Sequence, residues 1–370
     1  LCNGEIMNKL LPELKIGDLI AKIPIIQGGM GVGISMSGLA SAVANAGGIG
    51  VISTVGLGAM RPVSGKNYPE ANTQMLKEEI QNARKLSKGI IGLNIMVALS
   101  NFDDMLKTAF EENIDIIFMG AGLALKLPES ITNEYLQKAK TKIGMIVSSA
   151  RATKLLIQHW AEKFSRVPDV IVVEGPKAGG HLGFKPEQID DPNFALEKLV
   201  PEIKAEIIPL EEKYNQKIAL VAGGGVYTGA DIKKIMDLGA DGVQMGTRFV
   251  ATHECDADIA FKESYISCKK EDIGIIKSPV GLPGRAIINQ FLTDVSNGVK
   301  KPFTCPWKCL KTCDFRTAPY CIAQALLNSQ KGKLADGFAF AGANAWMVDK
   351  IVSVQELVDQ LQAEYAECFA

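Results

Sequence analysis

Three kinds of residue in this 370-residue sequence could do chemistry beyond packing. His181 follows a glycine pair in Glu174-Gly-Pro-Lys-Ala-Gly-Gly-His181. Glycine runs recur at Gly28-Gly29-Met30, Gly223-Gly224-Gly225 and Gly246-Thr247, and four cysteines, Cys305, Cys309, Cys313 and Cys321, crowd into one short stretch. An imidazole titrates near neutral pH, so it can hold an anion or move a proton. Glycine N–H groups beside a helix start suit a phosphate. Gln27, Asn94 and Glu174 carry amide and carboxyl groups able to read the edge of a flat heterocycle that approaches over Gly28 and Gly29. Taken alone, the histidine stretch is equally a glycine-rich turn with a solvated imidazole. Its surroundings decide.

Those surroundings are a rhythm of short apolar runs and helical spacing. Apolar, β-branched runs fall at 24–30, 49–53, 90–96, 114–119, 143–148, 170–173, 218–222 and 243–245. Helix-compatible segments at 39–46, 73–86, 103–111, 152–164, 196–207 and 229–238 separate most of them, with Thr228 as a candidate N-cap. Strands that are apolar throughout predict a parallel sheet covered on both sides by helices. Eight such units predict an α/β fold, a (β/α)8 TIM barrel, in which loops following the strands gather on one face. A doubly wound open sheet is the competitor, but there the glycine and polar signals would cluster near one switch point rather than after strands one, three, six, seven and eight.

The barrel is expected over 15–252, with 335–370 returning to it and an amphipathic helix covering it from 354. Residues 253–334 lose the rhythm and predict a smaller, mostly helical, cysteine-containing substrate or lid domain inserted after the eighth strand. Composition is ordinary for a globular enzyme, with 47% hydrophobic and 22% charged residues and a net charge of −1. That balance argues against a nucleic-acid or membrane partner. The start, Leu-Cys-Asn-Gly-Glu-Ile-Met, lacks a basic segment followed by an apolar one, so the expectation is a cytoplasmic protein.

The Gly223–225 and Gly246-Thr247 turns end strands seven and eight, where barrels often hold a phosphate. No Gly-Lys-Ser/Thr follows them and no Rossmann fingerprint opens a first βα unit, so a flavin phosphate is the economical reading. Cys305, Cys309 and Cys313 would share a helix face at i, i+4 and i+8, with Cys321 beyond. Four thiolates could hold an iron–sulfur cluster or zinc, although buried structural cysteines fit as well.

The matched stretches Pro24-Ile-Ile-Gln-Gly-Gly-Met30, Ala46-Gly-Gly-Ile-Gly50, Gly92-Leu-Asn-Ile95, Ala178-Gly-Gly-His181, Val221-Ala-Gly-Gly-Gly225 and Gly239-Ala-Asp-Gly-Val-Gln-Met-Gly-Thr-Arg-Phe249 run through most of 24–250. In them the chain resembles the nitronate monooxygenase family, once called 2-nitropropane dioxygenases, whose superfamily includes the flavin-dependent enoyl-acyl-carrier-protein reductase II enzymes. The resemblance implies a barrel binding FMN non-covalently through Gln27, Gly28, Gly29, Met30, Asn94, Glu174, Ala178, Gly179, Gly180, Gly223, Gly224, Gly225, Gln244, Met245, Gly246 and Thr247, with His181 matching the catalytic histidine. It implies O2-dependent oxidation of nitronates to a carbonyl compound and nitrite. The alternatives are NAD(P)H-dependent reduction of enoyl thioesters, with acyl carrier protein as partner, and a non-catalytic barrel that binds a phosphate ligand. Lys177 and Arg248 are candidate cations for an anionic substrate, and a homo-oligomer is an option.

Overall fold

The computed structural model describes residues 10–62 and 65–370. The chain starts with an antiparallel hairpin, β1 (Leu14–Ile16) and β2 (Leu19–Ala21). Eight parallel strands then alternate with helices: β3 (Ile25–Gln27), α1 (Ser37–Asn45), β4 (Ile49–Ser53), α2 (Tyr68–Leu86), β5 (Ile90–Met96), α3 (Phe102–Glu111), β6 (Ile116–Gly120), α4 (Asn133–Lys138), β7 (Lys142–Val147), α5 (Ala150–Phe164), and β8 (Val170–Glu174). After the two-residue β9 (Gly180–His181) come α6 (Leu196–Tyr214), β10 (Ala219–Gly223), α7 (Gly229–Asp237), β11 (Gly242–Met245) and the short α8 (Thr247–Val250). β3 to β8, β10 and β11 close into a barrel, each strand hydrogen-bonded to its neighbours in sequence order and β11 returning to β3. All eight expected strands are present.

The barrel interior explains its closure. Ile26, Ile49, Val51, Ile116, Phe118, Val170, Val172, Ala219 and Val221 form one buried cluster with Leu14 and Ile16 of the first hairpin, which plugs the N-terminal end. Phe118 finds room because its neighbours are glycines. A Cβ on Gly144 would lie 2.6 Å from the Phe118 ring, and one on Gly92 3.2 Å from it. A second, larger cluster lies between the strands and the helices. Helix ends are set locally: Ser149 accepts from Ala152 N at the start of α5, and Thr228 and Asp231 form a reciprocal capping box on α7.

Between β11 and the last helix the inserted segment carries α9 (Ile259–Ser267), α10 (Gln290–Ser296) and α11 (Ile322–Gln330). It also carries a hairpin that the sequence rhythm did not announce, β12 (Ile273–Lys277) and β13 (Pro283–Ile287). The segment has its own small core of Ala286, Phe291, Leu292, Tyr320, Ile322 and Ala325, joined by Phe338. The final helix α12 (Val354–Glu367), started by a Ser353–Glu356 capping box, packs on α7 and α1 and fills the place of an eighth barrel helix. No helix among the described residues is long and apolar enough to cross a membrane.

Candidate active site

Parallel strands bring their C-terminal ends to one face, so Gln27, Ser53, Asn94, Glu174, Gly223 and Met245 all close on it. Glycine makes the rim possible. A Cβ on Gly29 would lie 2.3 Å from Asn94 Cβ, so strands β3 and β5 meet here only because position 29 has no side chain. Gly28 faces the Gln244 side chain, where a Cβ would come to 3.4 Å, and Gly246 faces the sulfur of Met30 at 3.3 Å. Gly224 and Gly225 hold φ of 104° and 90°, conformations that a side chain strains. A Cβ on Gly224 would sit 2.8 Å from Gly175 O and 3.0 Å from Ala178 N, and Gly175 N donates to Gly223 O at 2.8 Å. The loops after β8 and β10 are thus pressed together.

A further stretch joins them, part of the 335–370 segment expected to return to the barrel but given no role at the site. Residues 341–344 return from the inserted segment and stitch three loops. Gly342 N donates to Thr247 Oγ1 at 3.2 Å, Ala343 N to Lys177 O at 3.0 Å, and Asn344 Nδ2 to Gly225 O at 2.8 Å. A Cβ on Gly179 would lie 2.6 Å from the carbonyl carbon of Ala341. Thr247 Oγ keeps its own proton free to donate.

His181 lies half-buried on β9, whose residues pair with β13: Gly284 opposite His181 and Arg285 opposite Gly180. Its Nε2 lies 2.7 Å from Ser278 Oγ in the turn of the inserted hairpin, and the Phe340 ring meets the imidazole edge-on at 5.0 Å. Burial pushes the imidazole down to about 4, so the ring is neutral at ordinary pH. Burial also pushes the Glu174 carboxyl up to about 7. Two titratable groups on one face are displaced in opposite directions, a pattern typical of sites that handle protons. Arg285 is nearly buried, donates to Pro176 O at 2.9 Å, and leaves its Nε without a partner.

Three expectations need correction. The Gln27 side chain is completely buried and spent on backbone: Oε1 accepts from Val51 N at 3.0 Å and Nε2 donates to Gly28 O. It bridges β3 and β4, which share a single register pair, and its amide is not open to read a ligand. Arg248 is engaged with the outer helices. It donates to Tyr227 O and Gln360 Oε1, each at 3.0 Å, and stacks over the Tyr227 ring, so it ties the loop before α7 to α12 and its guanidinium is engaged with the scaffold. Lys177 is exposed, with its stem over Gly225, at the same corner as the glycine cradle.

The cysteine stripe does not form. Residues 297–321 make no helix, so the i, i+4, i+8 face is absent, and no group of three or more His, Cys, Asp or Glu among the described residues is set to hold a metal. The loop packs on the barrel instead: Trp307 stacks on Tyr68 at 6.1 Å, Ser100 N donates to Cys309 O and Lys311 N to Ala98 O, each at 3.0 Å. Burial pushes the Cys309 thiol up to about 12.

The residues fit a flavin phosphate on their own evidence. Gly223 to Gly225 and Gly246 add no side chains of their own at the strand ends, a hydroxyl at Thr247 can donate, and Ser53 Oγ is buried beside the glycine loop of β3 without a partner. Fold and site together define a (β/α)8-barrel protein with a histidine at the loop face. The nitronate monooxygenase family model matches residues 13–364, and the chain belongs to that family. A probable nitronate monooxygenase of Staphylococcus aureus (strain JH9) is 28% identical over 319 residues, 78% of this chain and 80% of the relative. Among solved structures, FabK from Thermotoga maritima superposes with a TM-score of 0.73 at 24% identity over 94% of both chains. Nitroalkane oxidase from Streptomyces ansochromogenes superposes with a TM-score of 0.70 at 19% identity over 98% of this chain and 99% of its own. At those identities the likeness is one of fold.

Proposed function

We propose that this protein binds FMN at the C-terminal face and oxidises small nitronates with O2, releasing a carbonyl compound and nitrite. The observation that carries the reading is a half-buried imidazole, held by Ser278 Oγ at 2.7 Å and the Phe340 ring, beside loops whose glycines at 179, 224 and 225 let backbones approach closely. FMN, when bound, supplies the electron transfer. The chain supplies placement. The glycine loops and Thr247 hold the phosphate end, Gly28, Gly29 and Asn94 admit the flat ring closely, and Lys177 adds positive charge at the cradle corner. His181, neutral above its lowered pKa, donates a hydrogen bond to a nitronate oxygen and so holds the anionic substrate. Phe340 shields that side of the imidazole from water.

The likeness in fold to FabK keeps a second reading in view, reduction of an enoyl thioester by NAD(P)H with acyl carrier protein as donor of the substrate. Anaerobic stopped-flow mixing separates the two. Propionate 3-nitronate is expected to bleach the flavin and NAD(P)H is not; rapid bleaching by NAD(P)H alone overturns the oxidative reading. His181→Ala is expected to retain bound flavin and lose most of kcat/KM, and an unchanged value removes the imidazole from the chemistry.

A further inference from the structure

We propose that Ser278, contributed by the inserted hairpin, is the positioning residue for His181, fixing its ring and its neutral tautomer. The proposal deepens the reading of His181 as the working group and rests on it.

The histidine stands on a strand of only two residues, and the barrel does not hold it. β9 is hydrogen-bonded to no barrel strand; its sheet partners are β13 and, through it, β12. Leu182 N donates to Pro283 O at 2.9 Å, extending the same pairing. The inserted hairpin therefore sets where the His181 backbone lies. Its turn also reaches the side chain. Ser278 is 3% exposed, and its Oγ lies 2.7 Å from His181 Nε2, a good hydrogen-bond length.

The turn fixes the serine. Ser278 N donates to Leu282 O at 3.1 Å, Gly281 N donates to Ser278 O at 3.0 Å, and Gly281 holds φ of 85° to let the chain reverse. Val280 N points into Ser278 Oγ at 3.4 Å. In the proposed arrangement Val280 N–H takes one lone pair of the oxygen and the hydroxyl points its own proton toward Nε2. Nε2 is then the acceptor, and the ring proton sits on Nδ1. That leaves an Nδ1–H donor on a neutral ring. Burial alone, with no charged partner, keeps the ring neutral, in agreement with this arrangement. The other groups around it are the Phe340 ring, the backbone of Pro283 and Gly284, and Arg285, whose guanidinium turns away to Pro176 O. A hydroxyl that donates to Nε2 favours the neutral imidazole, so removing it should make protonation easier.

The first readout needs no substrate. The chain has three histidines, so ring resonances of histidine-labelled, flavin-loaded protein are assigned to residue 181 with His181→Ala. In Ser278→Ala the His181 titration midpoint is expected to rise by about one pH unit, the worth of one hydrogen bond. Ser278→Thr, which keeps the hydroxyl, is expected to return it to the wild-type value. Turnover of a nitronate by Ser278→Ala is expected to fall at least tenfold, with kcat reduced more than KM is raised and the acid limb of its pH profile moved up with the midpoint. A midpoint and pH profile identical to wild type in Ser278→Ala overturn the proposal, whatever His181→Ala does. A raised midpoint with unchanged turnover instead keeps the positioning and sinks the role of His181. Should Ser278→Ala fail to fold, Ser278→Cys, a close match in volume with a weak donor, must show a raised midpoint, and a wild-type value there counts against the proposal.

Discussion

Glu174 ends β8 at the loop face with no hydrogen bond to its carboxylate among the described residues, and burial moves its pKa from 4.5 to about 7. A carboxyl whose folded pKa lies above its unfolded one contributes stability that is fully present below pH 4.5 and is lost as pH rises through about 7. At about 1.36 kcal/mol per unit, the full loss is about 3 kcal/mol. Glu174→Gln keeps the shape and removes the titration. Taking about 2.1 cal/mol/K per residue for the entropy of unfolding, a 370-residue chain shifts its melting temperature by roughly 1 °C for each ~0.8 kcal/mol. Between pH 5 and 8, where about 2.5 kcal/mol of the loss falls, the advantage of the glutamine variant over wild type should therefore grow by about 3 °C. His181 runs the other way, its lowered pKa removing stability as pH falls from 6.5 through about 4, but both proteins carry it and it cancels in the difference. The assay is thermal melting of flavin-free wild type and variant in matched buffers. A difference that stays constant with pH, or that narrows as pH rises, refutes the burial argument for this carboxyl.

Other perturbations follow from the same geometry. Gly179→Ala puts a Cβ 2.6 Å from Ala341 backbone, so the stitch of 341–344 must move; flavin affinity measured by fluorescence should weaken at least tenfold while far-UV circular dichroism stays unchanged. Arg248→Ala removes two hydrogen bonds and a ring contact that clamp α12, and should cost about 1–2 kcal/mol in melting experiments with kcat/KM intact. A large fall in kcat/KM with unchanged stability would return Arg248 to the substrate. In timed alkylation followed by mass spectrometry, exposed Cys368 should be modified well before Cys309, whose thiol burial holds protonated.

The barrel was readable because most strands are short apolar runs rich in β-branched residues and set between helical segments. The glycine cradle was readable for a related reason: Gly29, Gly224 and Gly225 stand where backbones touch, and touching backbones exclude every other residue. The remainder was hidden by distance along the chain. Ser278 is an unremarked serine until β13 pairs with β9, and Ala341 to Asn344 look like a plain small-residue stretch until they cross Thr247 and Lys177. The β12–β13 hairpin escaped because its first strand is only half-buried and carries no clean alternation. Arg248 and Gln27 misled for the opposite reason. Each lies beside the glycine turns of the candidate site in sequence, but its side chain points into the protein scaffold. The cysteine stripe assumed a helix in a segment that Pro302, Pro306 and Pro319 interrupt.

The strand that carries His181 also sets an order of assembly. All eight barrel strands lie between residues 25 and 245, so they leave the ribosome before the partners that complete the site. Until residues 283–287 emerge, Gly180-His181 is an unpaired edge; until 341–344 emerge, the cradle loops are unstitched; until 354–367 emerge, α7 and α1 lack their covering helix. A nascent chain halted after the eighth strand would hold a nearly closed barrel with an open edge at its functional face, the kind of surface that pairs with wrong neighbours. Competence for chemistry therefore waits on residues 341–344, and a stop before them yields a barrel whose loops are unstitched.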